Sequence, residues 1–438
     1  MNYYKKYTDA FLCLTVFFVF TGYVFLNARL KDNYGDTVLL FLVFLSLPRL
    51  SAIDLGPYRK FLVCLFWAFL AMTLASVLFP PSRFANLSWL VSAQYRLVFS
   101  TVIVISLLNL SRLDRLALRW GLAVTCLLLA VLYIVQQSGV AVQESLGGIT
   151  PFRLDQSKWH DKNYAFWQLL LMWGSVALLW RRNVFCICMA IVVMVLSLVA
   201  VSLSTSESSQ FAAVVSLFVF AFVHLVKQEG KYVVYLLGTM LVVLLPFLWV
   251  CLAPVKPSLL SVLPEMKSII SRVELFDYTA SLIKKELVIG YGFGSTLFMP
   301  IPKGEVGWQF CFPGGHTHNL VLQFFMDHGL LGLIFISALV VFLFHYLFHA
   351  TVKSPQAPAV WALLFAGFTL FSLSFSIWKA DIVLMYCMWL GLIFAVASRH
   401  DRNVAGFFTG SLVPRSLLVF GLIALSCYAV DYLILAKN

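Results

Sequence analysis

The sequence predicts an all-α, polytopic integral membrane protein of about 12–13 transmembrane helices, a single membrane domain over 1–438. Three observations predict it. Apolar residues make up 61% of the chain and charged residues only 11%, against about 25% charged in a soluble domain. Apolar runs of roughly 20 residues, the length that crosses the hydrocarbon layer as a helix, recur from end to end. The basic residues stand in alternate short gaps between those runs, and so on one side, as membrane orientation requires.

The first run, 8–28, follows Lys5 and Lys6 and has no small-residue cleavage pattern after it, so it reads as a span and not as a removed signal peptide. Runs at 37–52 (short for a span), 61–80 and 91–110 follow. Arg112, Arg115 and Arg119 mark the gap before 117–137. The span at 163–180 ends at Arg181 and Arg182, and 184–203 comes next. Spans 209–227 and 232–253 meet around Lys227 and Lys231. After a long interval come 329–349, 357–377 and 380–398. Arg399, Arg402 and Arg415 accompany the last, 414–435. Alternating spans put these basic groups on one face, which the positive-inside rule makes cytoplasmic. The gaps at 138–162, 203–209 and 254–328 then share the opposite face, and long ordered loops tend to carry function.

The net charge of +12 is spread over these gaps and not gathered in one patch, which argues against nucleic acid as a partner. The cysteines are mostly single residues inside apolar runs, and Cys186 and Cys188 are too close for an ordinary disulfide. Neither a disulfide framework nor a metal-thiolate site follows.

Within 254–328 a helix is expected over 266–287, flanked by Pro254, Pro257 and Pro264 and ended by "GYGFGS", 290–295. Ile269, Ile270, Val273, Phe276 and Leu282 form an apolar face beside Lys267, Arg272, Asp277 and Lys284, the pattern of a helix lying on the membrane surface. "GYGFGS" lacks the preceding strand and following helix of a phosphate-binding loop. Next comes "GGHTHNLVLQFFMDHG", 314–329, which holds three of the eight histidines and lies at the outer edge of the following span.

His318 stands where a helix begins. The positive potential there disfavours imidazolium, so a neutral imidazole suited to general-base work is expected, with a capping or interface histidine as the plainer alternative. His316 and His318 together do not make a zinc site: residues two apart at a helix start diverge, and His160, Glu305 and His328 lack a ligand spacing. His345 and His349 share a helix face but fall at the cytoplasmic end of their span. Arg272 presents a fork of donors suited to phosphate, or is a snorkelling surface arginine. Arg153, Lys158 and Lys162 make the other long outer loop basic just before Asn163. That runs against the inside bias and points to an anionic ligand. "SLSTSESSQ", 202–210, ending in Gln210, offers hydroxyls and an amide to a sugar, or is a solvated turn. Lys379 and Asp381 flank Trp378 at a further outer turn and can pair with each other.

His318-Asn319, nine residues, then Gly329-Leu330-Leu331-Gly332 resembles the signature of O-antigen ligases, whose superfamily includes O-antigen polymerases. "SRVELFDYTASLIKKELVIGYGFGS" resembles the family's stretch in which an arginine precedes an aromatic-containing helix and a Gly-x-Gly turn. "WHDKNYAF", 159–166, resembles its asparagine-containing start of a middle span. The resemblance covers 150–400, in pieces.

It implies a fold like that of the C-type glycosyltransferases, with a periplasmic loop at 138–162 and a large periplasmic loop at 254–328 carrying surface helices and catalytic elements. It implies a metal-independent, inverting transfer, without a cofactor, at the periplasmic face of the bacterial inner membrane. The donor would be a glycan on undecaprenyl pyrophosphate. A ligase passes it to lipid A-core; a polymerase passes it to a second carrier-linked unit. Carried over, His318 is the base for the acceptor hydroxyl with His316 beside it, and Arg272 binds the pyrophosphate. Asn319, Arg153, Lys158, Asn163, Gln210 and Lys379 complete the expected substrate-binding set. One departure stands out: family members often carry an arginine in the hairpin at 202–210, where this chain has Glu207 and serines. A second cation must then come from Arg153, Lys158 or Lys379. A transporter of the same lipid-linked glycan is the alternative from another class. It calls for mid-span charges or repeat symmetry, whereas these spans are nearly free of charge.

Overall fold

The computed structural model describes residues 112–137, 158–180, 183–251, 267–292, 295–297, 317–351, 354–374 and 389–393, with Trp67, Ala71 and Val396. Throughout these residues the regular structure is helical. In order come α1 Arg112–Gln137, α2 Lys158–Leu179 and α3 Val184–Ser202. A helical run then breaks at Lys227 into α4 Glu207–Lys227 and α5 Glu229–Cys251. After it come α6 Lys267–Lys285, a 3₁₀ turn Ser295–Leu297, α7 Leu320–Thr351 and α8 Ala357–Leu373. Among the described residues, α1, α3, α4, α5 and α7 are long and apolar enough to cross a membrane. The chain is therefore an all-helical, multi-pass membrane protein. The spans expected at 8–28, 37–52, 61–80, 91–110 and 414–435 lie outside the described residues, isolated positions apart, and 380–398 is described only at 389–393 and Val396.

α2 covers the span expected at 163–180, but it starts at Lys158 and so extends into the gap expected at 138–162. It is less apolar than the five crossing helices because it need not face lipid. Every residue from Tyr164 to Leu179 is buried. α1, α3 and α8 surround it. Its polar side chains find partners inside the bundle. Gln168 donates from Nε2 to Ser197 Oγ of α3 (2.7 Å) and to the Cys126 carbonyl of α1 (3.0 Å), and Tyr164 donates to the Leu129 carbonyl (3.0 Å). Bonds of this kind are worth about 0.6–2 kcal/mol each within a membrane, so they fix the register of three helices more than they hold them together.

The outer helices show the opposite pattern. Phe211, Val214, Phe218 and Leu225 on α4, and Val192, Val195 and Val199 on α3, are exposed apolar residues three, four or seven positions apart. That stripe is one helix face turned to hydrocarbon. Local signals set the starts. Asn183 caps α3 by accepting from Cys186 N at 2.8 Å, α8 opens with Pro358 in its first turn, and Glu207 places a carboxylate at the positive end of α4. At one end of the bundle Lys231 Nζ donates to the Thr351 carbonyl at 3.1 Å, tying the start of α5 to the end of α7.

α7 is two helical arms joined at Gly329, whose φ of 59° and ψ of −147° are not helical. The break leaves carbonyls of the short arm, 320–328, and amides of the long arm, 330–351, without their usual i, i+4 partners. The turn after α6 supplies replacements. Tyr291 N donates to the Met326 carbonyl (2.9 Å), Gly292 N to the Asp327 carbonyl (2.9 Å), and Leu330 N to the Leu287 carbonyl (2.8 Å). In a membrane each such group left unpaired costs several kcal/mol, so the break and the turn exist together. Both backbones come so close that neither tolerates a side chain. A Cβ on Gly290 (φ 76°) would lie 2.4 Å from the Gly329 nitrogen, and one on Gly329 would lie 2.3 Å from the Val288 carbonyl oxygen. "GYGFGS" therefore has its use in this docking.

Gly290→Ala is expected to lower stability by more than about 2 kcal/mol, since strain at positive φ adds to a backbone clash. Gly230 is also buried, but it has no positive φ and a Cβ there would come no closer than 3.0 Å to a neighbour, so alanine there should cost much less. Thermal unfolding of the detergent-solubilised variants, followed by tryptophan fluorescence, checks the contrast.

Candidate functional site

The short arm of α7 begins at Leu320, and the two residues before it are the expected base and its neighbour. Asn319 is the helix cap. Its Oδ1 accepts from Leu322 N at 3.0 Å, and its own carbonyl accepts from Thr317 Oγ1 at 2.8 Å. Between these pinned residues His318 sits at φ 56°, the left-handed region, where a non-glycine residue costs on the order of 1 kcal/mol or more. His318 is half-buried. The element that resembled a motif now has a physical reading at each position. Asn319 caps the arm and Gly329 turns the chain. Gly332 packs so closely on the short arm that a Cβ would fall 2.1 Å from the Phe324 carbonyl oxygen.

α6 carries Arg272. It is less apolar than the crossing helices and is not among them. Trp249 Nε1 of α5 donates to Asp277 Oδ1 at 3.0 Å and holds the helix to the bundle. The expected helix at 266–287 is thus present, two residues shorter at its end. Arg272 is half-buried, and its Nε donates to the Leu373 carbonyl at 2.8 Å. Burial pushes the guanidinium down from its ordinary value, and the nearby Glu207 carboxylate pulls it back up. An arginine in such a place stays a cation at any working pH.

Leu373 is the last residue of α8, and the residues around it gather the rest. Asn319 Nδ2 donates to the Ser372 carbonyl at 3.3 Å. The Ser374 and Ser208 hydroxyls share a hydrogen bond, and Glu207 and Ser208 open α4. The end of α8 therefore joins three separate pieces of chain: α6 through Arg272, the broken helix α7 through Asn319, and the 202–210 hairpin through Ser208. A helix C-terminus carries partial negative charge and unsatisfied carbonyls, so an arginine and an amide are apt partners for it. Phe166 of α2 packs against Phe371 with ring centroids 5.3 Å apart, so α2 starts beside the same end of the bundle. Asn163 is buried one turn earlier on α2.

The remaining expected residues divide as follows. Gln210 donates from Nε2 to the Ser204 carbonyl at 2.7 Å and to the Ser202 carbonyl at 3.2 Å, and Ser206 and Ser209 bond each other at 2.8 Å. The hairpin spends much of its polarity on closing its own turn. Lys158 is the first residue of α2. His316, Arg153 and Lys379 lie outside the described residues. Reasoning from sequence missed Ser372, Leu373 and Ser374, because two of the three contribute backbone carbonyls and the third a hydroxyl at the end of an apolar run. It noticed Glu207 only as a departure. The structure places that carboxylate within electrostatic reach of Arg272.

The O-antigen ligase family model matches residues 192–337. That stretch, from the middle of α3 into the long arm of α7, is similar to the O-antigen ligase family. It contains Glu207, Arg272, His318, Asn319 and Gly329, whereas 372–374 lie beyond it. No curated protein matches the sequence.

Asn319→Ala is expected to cost about 1 kcal/mol through the lost cap, and Asn319→Asp, which keeps an acceptor for Leu322 N, should cost less. Thermal unfolding of both variants is the measurement. Equal losses would mean that the bond to Ser372, and not the cap, dominates.

Proposed function

We propose that the protein is an O-antigen ligase that moves a glycan from undecaprenyl pyrophosphate to the sugar core of lipid A, at the periplasmic face of the bacterial inner membrane. One observation carries the reading. Arg272 and Asn319, the neighbour of His318, are fixed to consecutive carbonyls, those of Leu373 and Ser372. A cation suited to a leaving pyrophosphate and an imidazole suited to an acceptor hydroxyl thus share one anchor. The family match over 192–337 supports the reaction class.

The chemistry follows from that pairing. The acceptor hydroxyl attacks the anomeric carbon of the carrier-linked sugar from the face opposite the pyrophosphate. A new C–O bond forms, the bond to the phosphate oxygen breaks, and its electron pair leaves with the undecaprenyl pyrophosphate. His318 takes the hydroxyl proton as the attack proceeds, a role worth about 10²–10⁴-fold in rate. Arg272 meets the charge that grows on the departing phosphate. Inversion follows from a single displacement. The cationic role falls to protein side chains and needs no metal. With Glu207 beside Arg272, further positive charge is drawn from Arg153, Lys158 or Lys379. The polyprenyl chain would lie along the exposed apolar faces of helices such as α3 and α4.

His318→Ala and Arg272→Ala should each abolish attachment of glycan to the cell surface, a loss of roughly 100-fold or more, while the protein still inserts in the membrane. Wild-type attachment by both variants would sink the site assignment. The acceptor is tested with purified protein, the lipid-linked glycan and two acceptors. Transfer to lipid A-core is expected. Transfer only to a second carrier-linked unit would make the protein a polymerase of the same superfamily.

A further inference from the structure

We infer that Gln323 and Asp327 are positioning residues that hold His318 in its left-handed conformation; the catalytic value of this rests on the reading of His318 as the acceptor's base. Both sit on the short arm of α7, four positions apart and so on one face. Asp327 is fully buried and Gln323 nearly so. The Gln323 amide bridges two groups of opposite polarity. Its Oε1 accepts from Thr317 N at 3.0 Å, and its Nε2 lies 3.1 Å from both carboxylate oxygens of Asp327. A backbone N–H can only donate, which sets the orientation of the amide from one end, and the carboxylate acceptors agree with it at the other. Thr296 Oγ1, at 3.3 Å, also accepts from Nε2, and Ser295 Oγ donates to Asp327 Oδ1 at 3.4 Å.

This chain of bonds ends on the backbone of Thr317, immediately before His318. On the other side Asn319 is fixed by its cap. His318 is thereby held between two immobilised residues, in a conformation that a histidine keeps only where its surroundings impose it. Asp327 is also the residue whose carbonyl takes the amide of Gly292 at the break. The docking of the "GYGFGS" turn and the setting of the histidine therefore meet at one residue, the first through the Asp327 carbonyl and the second through its carboxylate. A base must stand close to the proton it removes, and a misplacement of about 1 Å is enough to cost orders of magnitude in rate.

The test exploits the polarity of the bridge. Gln323→Glu sets a carboxylate against that of Asp327. Gln323→Met removes the bonds to Thr317, Asp327 and Thr296 at similar volume. The double variant Gln323→Glu with Asp327→Asn reverses donor and acceptor between the two positions, conserves the charge and keeps an acceptor for Thr317 N. Full-length protein in lipid nanodiscs is labelled with diethyl pyrocarbonate, and the rate at His318 is read by mass spectrometry of its peptide. The same samples give kcat and KM for transfer from undecaprenyl pyrophosphate-linked glycan to lipid A-core. Both single variants are expected to alter the labelling rate at His318 several-fold and to lower kcat about tenfold or more with KM unchanged. The double variant should restore both. Unchanged labelling and kcat in Gln323→Met, or no recovery in the double variant, would overturn the assignment. His318→Ala separates the two ideas. If it still transfers glycan, the base reading fails while a labelling shift still upholds the positioning. If it is inactive and labelling does not shift, only the positioning fails.

Discussion

A helix cannot be broken inside or beside a membrane without finding new partners for the backbone groups it exposes, and the break at Gly329 is where this chain meets that constraint. Hydrocarbon offers no hydrogen bonds, so each exposed carbonyl or amide would cost several kcal/mol. The bonds from Tyr291 and Gly292 to Met326 and Asp327, and from Leu330 to Leu287, remove that cost. They also make α6 and α7 mechanically dependent on each other. α6 is tied through the turn after it to the same break that ends the arm carrying His318 and Asn319. Gly290 and Gly329 face one another because the two backbones can approach so closely only without Cβ atoms.

The second organising feature is the end of α8. Its last carbonyls have no helical partners, and it sits where α6, the broken helix and the hairpin come together. Arg272 and Asn319 satisfy two of these carbonyls, and Ser208 reaches Ser374. Each bond is modest. Their joint effect is geometric, since a guanidinium held through Nε has a fixed plane and a capped asparagine fixes the residue before it. Glu207 gives the region its particular electrostatic character. Its carboxylate acts on Arg272 and offsets part of the effect of that residue's burial. The positive charge of Arg272 is thereby partly offset.

The sequence by itself determined the class of the protein. Apolar runs of membrane length, few charges and one-sided basic gaps leave a multi-pass helical architecture as the solution, because no single core can bury so much apolar surface and only lipid can take it. The sequence also marked His318, Asn319 and Arg272 as candidates, because polar groups of specific shape are costly in such a chain and stand out against it, and the α6 helix was legible from its periodicity. Tertiary structure alone decided how these pieces meet. The partners of Arg272 and Asn319 are main-chain carbonyls at 372 and 373, and every residue has a carbonyl, so no residue type announces them. The left-handed setting of His318 and the bridge through Gln323 and Asp327 depend on bonds between groups several residues apart on one arm and on a turn from another helix. Glu207 looked like a departure in the linear chain, and folding made it the charged neighbour of Arg272 across 65 residues of sequence. Composition and periodicity report on the solvent each residue faces. Which two distant residues face each other is settled only when the helices pack.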